Sequence, residues 1–158
     1  MNEVLNDMRY FAKVIKESPE ILAVIGEDYK VYIGAHDKDF SNLPLPNVIL
    51  YPREIEYVAA STALGKQFIY FVEAAIEGEN DTAENDGVNE LSGQLQITAI
   101  LEVIANVLWQ AAGCTNAFDV SVDTAINPAI QDRVYSGSVA LRYRLSRVIG
   151  GGFMPLRS

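Results

Sequence analysis

Cysteine and histidine are almost missing from this chain of 158 residues, with one of each. A lone cysteine, Cys114, excludes an internal disulfide framework and any zinc site built on cysteines. A lone histidine, His36, excludes metal motifs that need paired histidines. Bases are scarce too. Twelve Lys and Arg stand against twenty-one Asp and Glu, for a net charge of −9. So acidic a surface repels phosphate, which argues against sequence-specific reading of DNA or RNA. No apolar run reaches the 18 or more residues of a membrane span, and no charged-then-apolar leader opens the chain. The expectation is a cytosolic chain with no membrane partner.

What is present has globular proportions: 49% hydrophobic and 21% charged residues, at a length that suits one domain. The charge is uneven. Residues 1–105 hold eighteen acids and seven bases; residues 106–158 hold three acids and five arginines. Between positions 73 and 90 lie Glu73, Glu77, Glu79, Asp81, Glu84, Asp86 and Glu90 with no base. The segment 78–91 reads as an exposed acidic loop.

Periodicity places the elements. Val4, Met8, Phe11 and Ile15 form the stripe of a helix over about 2–17. Ser18-Pro19 is an N-cap followed by proline at the first helical position, and Gly26 ends the short turn of helix that follows. Strands are predicted at 29–33, at 47–51 after Leu43-Pro44-Leu45-Pro46, and at 67–77; residues 53–60 extend the second strand or form their own. Both faces of the first half of 67–77 are apolar, so cover on both sides is expected there.

The clearest helix is predicted over 92–112. Thr98, Glu102, Asn106 and Gln110 make one narrow polar stripe, and nearly everything else is apolar, so more than one surface should cover it. Gly113 is its expected stop. Strict alternation in Phe118–Ile126 and Val139–Ser146 predicts two antiparallel strands with one polar face. If they pair, Asp119 and Asp123 meet Arg142 and Arg144. The order predicts an α+β fold, a largely antiparallel sheet with two main helices packed on one face. Residues 1–148 read as a single domain. Residues 149–158 read as a flexible tail, three glycines and then Phe153, Met154, Pro155 and Leu156.

Catalytic and metal chemistry finds little footing. Placing Gly87 sixth in a calcium loop puts Thr82 first and Gly93 twelfth, where carboxylates are needed. Gly150-Gly151-Gly152 has neither the spacing nor the lysine of a phosphate cradle. His36 beside Asp37 lacks a nucleophile motif. Glu54 and Glu56 read as a solvated strand face, and Cys114 as buried packing. Trp109 reads as core or subunit contact. Arg142 and Arg144 share one strand face, with Arg147 on the other. They read as a salt-bridged surface or as a patch for an acidic partner such as the acidic loop of a neighbouring copy. Unlike surfaces of this kind suit head-to-tail contacts, which close into rings when the rotation permits.

The opening helix, the run Ser18-Pro19-Glu20-Ile21-Leu22-Ala23-Val24-Ile25-Gly26 leading to Lys30-Val31-Tyr32-Ile33, the strand Asn47-Val48-Ile49-Leu50-Tyr51 behind Pro46, and the closing Leu141-Arg142-Tyr143-Arg144-Leu145 together resemble phage tail-terminator and tail-completion (head–tail joining) proteins. The resemblance implies a structural virion protein without enzymatic activity or cofactor. It implies a homo-oligomeric ring, commonly a hexamer, that caps the tail tube, ends its polymerisation and joins it to the head connector, with DNA passing through the lumen. Another neck component, or a small ligand-binding domain, is the alternative. The interface candidates are Glu79, Asp81, Glu84, Asp86, Trp109, Arg142, Arg144 and Arg147.

Overall fold

The computed structural model describes residues 3–34, 43–59, 63–78, 81–130 and 133–148. Helix α1 (Glu3–Glu17) forms on the predicted stripe and buries Met8, Phe11 and Ile15. Ser18 then caps α2 (Pro19–Ile25), its hydroxyl accepting a hydrogen bond from the Ile21 amide at 3.3 Å. Gly26, at φ 82°, closes α2 in the left-handed region that favours glycine.

Five strands form one sheet in the order β1-β2-β3-β7-β6. They are β1 (Lys30–Ile33), β2 (Asn47–Ala59), β3 (Ala63–Glu77), β6 (Phe118–Ile126) and β7 (Val134–Val148). Only β1 and β2 run parallel; the other pairs are antiparallel. Residues 53–59 do extend the second strand, and Pro52 is tolerated within it because the register shifts between Pro52 and Glu54. Helix α3 (Ser92–Gly113) and α1 pack on one face. The class is α+β, as the element order predicts.

The acidic segment corrects the expectation of a loop. It folds into a hairpin of β4 (Thr82–Asn85) and β5 (Val88–Leu91), a separate two-stranded sheet. Asp86 and Gly87 both have positive φ, 49° and 77°, which is what a two-residue turn matching the strand twist demands.

The core lies between the sheet and the helices. Phe68, Tyr70, Val72, Ala74 and Ile76 of β3 and Val139, Leu141, Tyr143 and Leu145 of β7 meet Ile97, Ile100, Leu101, Ile104 and Leu108 of α3. Asp7 of α1 is buried inside this apolar layer. It accepts hydrogen bonds from the hydroxyls of Tyr143 at 3.0 Å and Tyr70 at 3.5 Å. On the opposite sheet face Ile69 is buried and Phe71 half-buried. The cover expected there comes from neighbouring side chains and not from a helix, since all three described helices join the core on the other side. Arg53 lies over the Phe71 ring at 5.7 Å, and Tyr51 packs against that ring at 5.9 Å while donating to Glu73 at 2.7 Å.

By length and composition α3 could cross a membrane. Here eight of its residues are buried in the fold. Close approach to the sheet depends on two glycines. A Cβ on Gly93 would strike the Tyr135 ring, and one on Gly137 would strike Leu101 and come within 2.8 Å of the Ala125 carbonyl. The stop is not the expected one. Gly113 is the last helical residue, and Cys114 is the cap, its amide reaching back to Gln110 and Ala112.

Candidate functional site

The candidate residues fall at two ends of the molecule. Helix α3, 22 residues long, separates those ends by roughly 32 Å at the usual rise of 1.5 Å per residue. At its start stands the β4–β5 hairpin. Asp81, Glu84, Asp86 and Glu90 belong to it or flank it, and Asp81, Glu84 and Asp86 are exposed. Its apolar residues are open as well: Val88 is 63% and Leu91 44% exposed. The base is fastened where the Asp81 amide donates to the Ser92 hydroxyl at 3.0 Å and the Ser92 amide donates to the Asp81 carbonyl at 2.9 Å. Glu79 lies outside the described residues.

The other end carries the arginines and the tryptophan. Strand β7 runs alongside α3 in the same sense, because β6 turns back from the helix end and β7 turns back again. Arg142 stands opposite Ser121 and Ile69, and Arg144 opposite Phe118 and Gln67. Both are exposed. Arg144 pairs within the chain, to Asp119 at 3.4 Å and to Gln67 at 3.2 Å. This half of the expected cross-strand pairing forms. Asp123 faces Ala140 and not an arginine. The cause is a register shift between Phe118 and Ser121 with Asp119 at φ 50°; the extra residue of such a bulge re-aims its neighbours. Arg147 lies in β7 opposite Leu64, its side chain outside the described part.

Trp109 is not core: it is 55% exposed. Trp109, Gln110, Gly113, Cys114 and Val120 line an open, almost wholly apolar groove of about 580 Å³ between the end of α3 and the start of β6. Cys114 is exposed, which corrects the expectation of buried packing; as helix cap it sits where the chain leaves the core. Leu95, 48% exposed, and Ala99 lie further back on the same helix, beside the solvated stripe of Thr98, Glu102, Asn106 and Gln110. Helix α3 is therefore sheathed on its inner side only.

Other candidates do not assemble into a chemical site. Glu54 and Glu56 are both exposed on β2. His36 lies outside the described residues. Among the described residues no three His, Cys, Asp or Glu side chains come together as they would around a metal.

No family model matches the chain, and no curated protein matches it either. Among solved structures the fold is similar to that of a chain in the virion of a native gene transfer agent particle. The TM-score is 0.63 at 12% identity, over 93% of this chain and all of that one. At that identity the likeness shows a shared fold.

Proposed function

We propose that this chain is a structural protein of a phage-like virion, without enzymatic activity, and that it forms the ring which terminates the tail tube. One observation carries the reading: end-to-end likeness of fold to a chain from a gene transfer agent virion. The two-ended surface supports it. An acidic hairpin at one end and arginines at the other suit a heterologous contact, and heterologous contacts close into rings when their rotation divides the circle. Half-open α3, with Leu95 and Trp109 in solvent, offers apolar area for such a contact.

In this reading six copies surround a lumen, one rim seats on the tail tube protein and the other on the head–tail connector. Net charge of −9 per copy keeps the wall from holding the DNA that passes, since like charge repels phosphate. The test is tube growth. Added to polymerising tail tube protein, the chain should shorten the tubes in proportion to its concentration and appear at their ends in electron micrographs. Tubes of unchanged length with bare ends would overturn the assignment.

A further inference from the structure

The apolar groove at the end of α3 has a candidate occupant in the same chain. We propose that Phe153, Met154 and Leu156 of the C-terminal segment fill it. This goes beyond the ring reading and does not depend on it.

Three observations carry the inference. The first is reach. Phe118 of β6 pairs with Arg144, while β7 runs on to Val148. Its end thus lies four residues past the start of β6, roughly 13 Å at 3.3 Å per residue. From Val148 to Met154 is six residues and to Leu156 eight, spans of up to about 20 and 27 Å when extended. The return is long enough, and Gly150-Gly151-Gly152 supplies the backbone freedom to reverse direction.

The second observation is chemistry. The groove walls are Trp109, Val120, Cys114 and the glycine edge of Gly113, with Gln110 the one polar side chain and no charged one. The segment offers an aromatic ring, a thioether and a leucine within four residues. A methionine sulfur beside an indole is a favourable contact, and about 580 Å³ is within the roughly 300–1,000 Å³ of pockets that hold compact apolar ligands. The third is polarity. The last turn of α3 carries no basic residue; among the described residues its carbonyls accept only from neutral donors, the Cys114 and Thr115 amides and the Thr115 and Tyr10 hydroxyls. Arg157 follows Leu156 directly and would bring a cation to the negative pole of the helix.

Cys114 and Trp109, each the only residue of its type, make the test direct. In Met154→Cys, mild oxidation should join residue 154 to Cys114 within one chain, at a rate independent of protein concentration. A tethered thiol acts at an effective concentration in about the millimolar range, well above micromolar protein. Val88→Cys, on the hairpin at the far end of α3, is the control and should give no intrachain bond. Disulfide-linked dimers from Met154→Cys, forming faster as concentration rises, would mean that another copy supplies the segment and would overturn the proposal. So would oxidation no faster than in the control. Fluorescence gives a second reading. Changing Phe153, Met154 and Leu156 together to Ser leaves β7 intact and should move Trp109 emission to the red and raise its quenching by acrylamide. Unchanged emission and quenching would overturn the proposal as well.

Discussion

Asp7 shows how much one side chain can decide. Its carboxylate takes hydrogen bonds from two tyrosine hydroxyls in a layer of Phe11, Phe68 and Tyr143 rings. Asp7→Ala removes the buried acceptor that the two hydroxyls share, leaving them the bond between Tyr143 and Tyr70, and should destabilise the fold by about 1–3 kcal/mol in urea unfolding; Asp7→Asn keeps an acceptor and should lose less. An unchanged midpoint for Asp7→Ala would contradict the role given to the cluster. The tyrosines also set an alkaline limit. Burial pushes the Tyr143 hydroxyl well above its ordinary value, with Tyr70 and Asp7 adding to the shift. Burial and the bond to Glu73 do the same for Tyr51. Unfolded tyrosines lose their protons near pH 10, whereas the folded ones keep theirs. Above that pH the unfolded state binds fewer protons, so this stability is complete below about pH 10 and declines as pH rises. Urea midpoints between pH 8 and 11.5 should stay level and then fall, less steeply in Tyr51→Phe; a flat profile would contradict the assignment. Little of the cluster is legible in sequence, because Asp7 looks like a helix-surface acid until the tyrosines of two distant strands arrive beneath it.

At the scale of elements, periodicity carries most of the information. The stripes of α1 and α3 and the alternation of β7 come from burial on one side, and burial on one side leaves a period. Features that depend on a single backbone turn are quieter. Asp86-Gly87 marks the β4–β5 hairpin, yet the acids around it hide two strands that bury almost nothing. The bulge at Asp119 has no sequence period at all. Neither does the parallel pairing of β1 with β2, which follows from where β1 docks. Two changes test this level. Gly137→Ala drives a methyl into Leu101 and the Ala125 carbonyl, and should lower stability by about 1–3 kcal/mol. Replacing residues 82–91 with a two-residue Asn-Gly turn should alter stability by less than about 1 kcal/mol, since closure entropy varies slowly with length and the hairpin base is held at Asp81 and Ser92. Loss of cooperative unfolding in that variant would place the hairpin in the core after all.

Across the whole molecule the charge is polarised. Acids gather at the start of α3, with Arg133 beside them at Gly78, while Arg142, Arg144 and the Trp109 groove lie at the other end. Arg144 already has Asp119 within the chain, a solvent-exposed pair worth about 0.2–1 kcal/mol. Arg144→Glu should therefore cost some stability. Arg142→Glu should leave the thermal midpoint unchanged and weaken assembly, if the arginine end meets a neighbour's hairpin. The charge segregation behind this is plain in the sequence; which residues share an end is not, because that needs the reversal of β6 and β7. The most direct measurement is the mass of the particle in solution. Native mass spectrometry of the purified chain across a concentration series should show a closed species of six copies, with few intermediates, that disappears in the variant lacking residues 82–91. A monomer at every concentration, alone and with tail tube protein added, would contradict the account.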